Sequence, residues 1–220
     1  MTDREQKTLS FLKERLGGCR YFREHPADGA YRLEHSIRVA RIGARIARAE
    51  GMDEEHMAIA CLLHDVAYGM DFPADYDWKD HGRDGARIAR PFLHTLGLDG
   101  QAVEDICYAI AIHVDDKADF AGRLIPFTQT VGDADNIDRF DVFRIYDTLR
   151  AKQFYDLPLT ERLDWLGGLL PRLEELERME LATPTATALW REKAAFQKTF
   201  FERLLAQMKA GCLPEGMEEL

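Results

Sequence analysis

The chain has 220 residues, of which 46% are hydrophobic and 31% are charged. This is enough apolar material for a packed core, which excludes a disordered chain and a disulfide-stapled miniprotein. The 29 Lys and Arg residues against 39 Asp and Glu residues give a formal net charge of -10. A chain of that charge repels a phosphate backbone, so nucleic acid is not an expected partner.

The sequence carries no signal for a membrane or for export. The longest purely apolar run, from Met57 to Leu63, has seven residues, whereas a membrane-spanning helix needs about 20. The first ten residues contain four charged side chains and no apolar stretch typical of a secretion signal. We therefore expect a cytoplasmic protein that is not bound to a membrane. The cysteines show no paired spacing and are predicted to be reduced packing residues: Cys19, Cys61, Cys107 and Cys212.

Helical periodicity dominates the sequence and predicts an all-α fold of about seven or eight helices. The clearest helix runs from about 33 to 50 and ends at Gly51, a residue that readily adopts the left-handed conformation of a helix end. His35 lies on the same face of this helix as its apolar residues, so it should point inward. Four arginines form a separate stripe that we expect to be solvated: Arg38, Arg41, Arg45 and Arg48.

The next helix is predicted to begin after Asp53 as its N-cap and to be central to the core, because 57–66 is apolar nearly all round. His64 and Asp65 lie inside this apolar segment. A long loop follows, from Tyr68 to Asp80, with four aromatic side chains. We predict either a lid that stacks on a base or an ordered surface loop.

Further helices are predicted downstream. Their approximate bounds are 82–96, 101–113, a segment after Pro126 that continues through 130 to 147, then 160–180 and 185–209. With no flexible linker visible, we predict a single domain over 1–220, with a core at about 31–150 and a helical extension at about 157–220. The apolar residues of the last helix suit either a homodimer interface or the intramolecular core.

The pattern of histidines and aspartates indicates a metal site. Burying the charged Asp65 costs free energy unless a cation or hydrogen bonds compensate. His35 lies on a neighbouring helix, which could bring its imidazole close to His64. Of the three carboxylates in 131–138, Asp135 is our choice for a further ligand. Nitrogen and oxygen donors without thiolate suit one or two divalent ions of Mn, Fe, Co, Ni, Zn or Mg.

The ordered set His35, His64-Asp65 and Asp135 resembles the HD-domain superfamily of metal-dependent phosphohydrolases, over about residues 31–150. The resemblance implies a helical bundle in which these four residues bind a divalent metal, and the predicted C-terminal helices would be an addition to that bundle.

His81, within the segment His-Gly-Arg-Asp-Gly-Ala, and His113 lie where superfamily members with two metals carry histidines. The resemblance then implies that Asp65 bridges the two ions, and that His81 and His113 bind the second one.

The implied activity is hydrolysis of a phosphoester or phosphoanhydride of a small, nucleotide-like substrate by metal-activated water. Asp65 would take part directly, and Asp133 and Asp138 would orient ligand histidines or move a proton. Four cations near the site are candidates for binding substrate: Lys79, Arg83, Lys117 and Arg123. Two alternatives remain open, namely a di-iron oxygenase of the same superfamily and a non-catalytic binding protein that retains the metal.

Overall fold

The computed structural model describes residues 1–212, and within them it contains α-helices and three short 3-10 helices but no strand. The all-α prediction is therefore confirmed. The α-helices are α1 (Asp3–Gly18), α2 (Arg20–Glu24), α3 (Pro26–Glu50), α4 (Glu54–Leu63), α5 (His81–Thr95), α6 (Gly100–Ile112), α7 (Pro126–Arg139), α8 (Val142–Ala151), α9 (Leu159–Glu177) and α10 (Pro184–Ala210). The 3-10 helices are Val66–Gly69, Trp78–Asp80 and Phe154–Asp156. None of the helices described here is both long and apolar enough to cross a membrane.

The chain divides into two compact units. The first unit comprises Met1–Asp138 and Leu181–Ala186, and the second comprises Arg139–Glu180 and the described part of Thr187–Leu220. The single domain expected over the whole chain stays a prediction.

The core of the first unit is built around α4, in which Met57 to Leu63 are all buried. Asp53 caps this helix as predicted, since its side chain accepts a hydrogen bond from the backbone N–H of His56 at 2.8 Å. Gly43 of α3 faces Cys61 of α4, and a Cβ on this glycine would lie 2.5 Å from the Cys61 Sγ. The missing side chain lets α3 and α4 approach closely, which brings the two histidine-bearing helices together.

A second close approach joins α5 to the end of α6. A Cβ on Gly82 would lie only 2.6 Å from the carbonyl oxygen of Ala111. Only glycine fits this contact without displacement of the neighbouring backbone. As a result, the start of α5, with His81, packs against the end of α6, next to His113.

The second unit has a small apolar core of its own. Its buried members are Ile145 of α8, Leu166 and Leu173 of α9, and Phe201 of α10. The apolar residues that we assigned to the last helix therefore include at least one that serves the intramolecular core, because Phe201 is 1% exposed.

Several expectations about the elements need correction. The described residues form ten α-helices and not seven or eight, and α3 begins at Pro26 and not at about residue 33. The segment predicted as one helix through 130–147 is two helices, because the backbone turns after Arg139 and Asp141 caps a new helix by accepting from the Val142 N–H at 2.7 Å. The N-terminal helices α1 and α2 were not among those predicted, although a capping box of Thr2 and Glu5 marks the start of α1. Cys212 is exposed and not a packing residue, unlike the other three cysteines.

Candidate metal centre

Four buried histidines meet in the first unit, each carried by a different helix or helix end. His35 lies within α3, His64 directly follows α4, His81 opens α5 and His113 directly follows α6. Their exposed fractions are all 9% or less. Asp65 and Asp135 lie among them, so the structure brings together all six residues that the sequence predicted as ligands.

Three of the histidines are oriented by one recurring contact. The Nδ1 atoms of His64, His81 and His113 each bond to the backbone carbonyl oxygen three residues earlier. A carbonyl can only accept, so Nδ1 carries the hydrogen and, in the neutral ring, Nε2 keeps its lone pair. This is the arrangement that orients histidines as metal ligands, because the second ring nitrogen fixes the tautomer and the direction of the first.

The carboxylate of Asp65 faces a different pair of histidines with each oxygen. Its Oδ2 lies 3.3 Å from the Nε2 of His64 and 3.7 Å from the Nε2 of His35. Its Oδ1 lies 3.3 Å from the Nε2 of His81 and 3.7 Å from the Nε2 of His113. The Nε2 atoms within these pairs are 3.3 Å and 3.1 Å apart. Asp65 is therefore placed to be shared between two adjacent groups of donors.

Asp135 completes the first of these groups. Its Oδ1 lies 3.0 Å from the Nε2 of His35 and 3.8 Å from the Nε2 of His64. Ligands bound at about 2.0–2.2 Å from one ion are separated from each other by about 2.8–3.6 Å in octahedral or tetrahedral geometry. The separations of 3.0 Å and 3.8 Å lie within or just above this range, so the spacing and the chemistry of the donors suit a divalent cation. Among the described residues, two overlapping triads have their donor atoms within 4.8 Å of one another: His35, His64 and Asp135, and His64, Asp65 and His113.

The electrostatics of the cluster keep its carboxylates ionised despite their burial. Burial raises the pKa of Asp65, but the neighbouring His64 and Arg32 outweigh it and hold that pKa well below its ordinary range. Burial acts likewise on Asp135, and its contact with His35 lowers its pKa to about 2. Conversely, burial lowers the pKa of His35, while its hydrogen bonds with aspartates raise it to about 9. The site is therefore built to hold positive charge.

Asp138 orients His35 from behind. Its Oδ2 lies 2.7 Å from the Nδ1 of His35, and both its oxygens accept hydrogen bonds from Arg38, at 2.7 Å and 3.0 Å. These contacts lower the pKa of Asp138 against the effect of burial. Arg38 therefore meets the expectation of a solvated arginine stripe only in part, because its side chain is 39% exposed while its guanidinium pairs with Asp138. Arg41, Arg45 and Arg48 are exposed as predicted.

Asp133 has different surroundings from Asp138. One of its oxygens accepts a hydrogen bond from the backbone N–H of Ala182 at 2.9 Å. Burial raises the pKa of Asp133 to about 6, against the lowering effect of the Ala182 hydrogen bond. This carboxylate therefore anchors the backbone at Ala182, and its predicted role in proton transfer or in orienting a histidine stays a prediction.

The four cations predicted to bind substrate lie in other contacts or in solvent. Arg83 bonds to Asp80, to Asp115 and to the carbonyl of Lys117. Arg123 is paired with Asp105. The side chains of Lys79 and Lys117 belong to exposed residues. Binding of substrate by these four residues stays a prediction.

Arg32 is a cation of the site that the sequence interpretation did not name. Its Nη1 bonds to the Oδ2 of Asp65, and its guanidinium lies 3.7 Å from the ring centre of Tyr68. Its side chain is 21% exposed, so one part of it reaches solvent. The sequence feature that could have identified Arg32 is its position three residues before His35, because this spacing places both side chains on one face of α3.

The comparisons with known proteins agree with this geometry. A family model described as HD domain matches residues 32–141, which is half of the chain. The chain therefore belongs to the HD domain family. Its fold is similar to the crystal structure of a predicted HD superfamily hydrolase from an uncultured Thermotogales bacterium, with a TM-score of 0.63, 23% sequence identity, and coverage of 92% of this chain and 91% of that chain. No curated protein matches the sequence.

Proposed function

We propose that this protein is a metal-dependent phosphohydrolase that cleaves a phosphoester or phosphoanhydride of a small, nucleotide-like substrate. Membership of the HD domain family, the buried cluster of histidines and aspartates, and the hydrolase described for the similar structure support a metal-dependent hydrolase. The observation that carries the proposal is the carboxylate of Asp65, whose two oxygens face two separate pairs of histidine Nε2 atoms.

Each residue of the cluster then has a defined task. His35, His64, Asp65 and Asp135 would hold one divalent cation, and Asp65 would share a second with His81 and His113. Cations bound there would activate water as a nucleophile and neutralise phosphate oxygens.

The protein itself supplies orientation around these ligands. The backbone contacts at Nδ1 hold three of the histidine rings, and Asp138 holds His35. Arg32 is the cation best placed for a phosphate oxygen, because it already contacts Asp65 and its planar fork suits phosphate.

The test is metal content and activity of the purified protein. Samples reconstituted with Mn, Co or Fe are screened anaerobically for phosphate release from a panel of phosphoesters and nucleotides. We expect release from at least one compound, and loss of both activity and bound metal in His64→Ala and Asp65→Ala. His94→Ala is the matched control, because His94 is exposed and lies outside the cluster. Variants His64→Ala and Asp65→Ala that keep metal and activity would refute the site.

The second cation and the alternative reactions are separated by further measurements. His81→Ala and His113→Ala should each lower the metal stoichiometry from two to one; unchanged stoichiometry would indicate a mononuclear centre. Consumption of dioxygen by the iron-loaded protein, without anaerobic phosphate release, would favour the di-iron oxygenase. Metal binding without any turnover would favour a non-catalytic binding protein.

A further inference from the structure

A large cavity adjoins the metal centre and has no role in the proposal above. It has a volume of about 630 Å³ and is lined by residues of α2, α3 and the segment after α4. Three of its lining residues also contact the cluster. The Tyr31 ring is stacked at 6.0 Å from the His35 ring, Arg32 bonds to Asp65, and the Tyr68 ring lies 5.2 Å from the His81 ring. The cavity and the cluster therefore share a wall.

One side of the cavity is a packed aromatic surface formed by the loop after α4. The rings of Tyr68 and Trp78 are stacked with their centres 5.7 Å apart, and Phe72 meets both edge-on at 5.8 Å and 5.0 Å. Trp78 nevertheless remains 55% exposed. An exposed indole beside a cavity is typical of surfaces that stack on a planar ligand, because the ring offers a large apolar face at little cost in conformational entropy.

The charges that line the cavity disfavour a second phosphate. Besides Arg32 at the inner end, its charged lining residues are Arg20, Glu24, Asp28 and Asp71. Three carboxylates against one further cation repel an anionic group. A polyphosphate or a second phosphoryl group would thus meet unfavourable charge as soon as it extended beyond Arg32.

We propose that this cavity binds an uncharged, planar aromatic group of the substrate, attached to a single phosphate that lies at the metal cluster. The volume supports a group of this size, since pockets for small molecules span about 300–1,000 Å³. The position of the phosphate rests on the proposed function, whereas binding of the aromatic group does not. Trp78 and Phe72 would then determine specificity, and Arg32 would mark the boundary between the two parts of the ligand.

A matched set of substrates tests the preference. Ribose 5-phosphate and the 5′-monophosphates of purine and pyrimidine nucleosides share the same primary phosphoester. They differ at C1, where the nucleotides carry the aromatic base and ribose 5-phosphate carries a hydroxyl. With the Mn-loaded protein we expect at least one nucleotide to exceed ribose 5-phosphate about tenfold in kcat/KM, mainly through KM. Trp78→Leu and Phe72→Leu should reduce this ratio. Tyr146→Leu is the matched control, because Tyr146 is 60% exposed in the second unit.

A binding measurement without catalysis separates this inference from the proposed function. Equilibrium dialysis of the metal-free protein with adenosine and with uridine should detect binding of at least one nucleoside, weakened about tenfold in Trp78→Leu. Such binding without any phosphate release would refute the hydrolase and retain the subsite. Phosphate release without a preference for nucleotides and without nucleoside binding would overturn the subsite and retain the hydrolase. A preference for phosphocholine over the nucleotides would overturn it too, since the occupant would then be a cation.

Discussion

The cores of the two units differ in chemistry. The first unit buries four histidines and several aspartates beside its apolar side chains. The core cluster of the second unit is formed by the apolar side chains Ile145, Leu166, Leu173 and Phe201, and none of the described residues buried in this unit is ionisable. Burying ionisable groups costs free energy unless partners compensate. The ionisable side chains of the first core therefore stabilise the fold less than apolar side chains would, but they form a site that could hold cations. The second core contributes stability through packing.

Truncation of the apolar core should have the largest effect on folding. Phe201→Ala removes a ring that is 1% exposed, so we expect a loss of about 3–5 kcal/mol in the free energy of unfolding. Urea denaturation measures the loss, and Phe196→Ala is the control on the same helix, because Phe196 is 52% exposed. Metal stoichiometry of the folded Phe201→Ala protein should be unchanged. A fall in stoichiometry would show that the chemistry of the first unit depends on this packing.

The opposite response is expected when metal is added. A divalent ion at about a hundred times its Kd should raise the free energy of unfolding by about 2.7 kcal/mol, because the ion binds the folded cluster and not the dispersed ligands. The rise should disappear in His64→Ala and persist in His94→Ala. Thermal denaturation with and without chelator measures it. Equal stability in both conditions would contradict the interpretation of the buried histidines.

A smaller effect distinguishes two aspartates of α7. Asp138→Asn should weaken metal binding about 10–100-fold, because Asp138 orients His35 while being held by Arg38. Asp133→Asn should leave the metal affinity nearly unchanged, since the Asp133 carboxylate anchors the N–H of Ala182 instead. Competition with a chromophoric chelator measures both affinities. An equal loss in both variants would assign the same orienting role to the two carboxylates.

The part of the site that could be predicted from the sequence consists of ionisable side chains that lie within apolar segments. His64 and Asp65 follow an apolar helix directly. Burying such an ionisable pair costs free energy, and only partners from other parts of the fold could offset that cost. The sequence around Arg32 and Arg38 contains no comparable signal, because an arginine on an amphipathic helix is ordinarily solvated. Their roles depend on distant partners, Asp65 and Asp138, whose positions are set by how helices pack.

The break between α7 and α8 escaped prediction for a related reason. Residues 130 to 147 keep a helical pattern of apolar side chains, and the interruption depends on a single cap by Asp141. Asp is also tolerated on the exposed face of a helix, so its identity alone does not mark a helix start. In contrast, Gly51 has a φ of 70°, and the predicted end of α3 is confirmed.

The reactivity of the cysteine thiols tests the difference between the two units with the smallest perturbation, because chemical labelling of an exposed thiol need not alter either core. In the first unit, burial raises the pKa of the Cys107 thiol to about 11, so at pH 8 this thiol stays protonated and out of reach of reagents. In the second unit, Cys212 is exposed. A thiol reagent at pH 8 should therefore modify one equivalent quickly and the remainder only after denaturation. Cys212→Ser should abolish the fast phase. Because Cys19 lines the cavity beside the cluster, the decisive variant is Cys19→Ser/Cys212→Ser: a fast phase that survived in it would mean that the core around α4 and α6 opens readily, which is incompatible with a preformed cluster of oriented histidines.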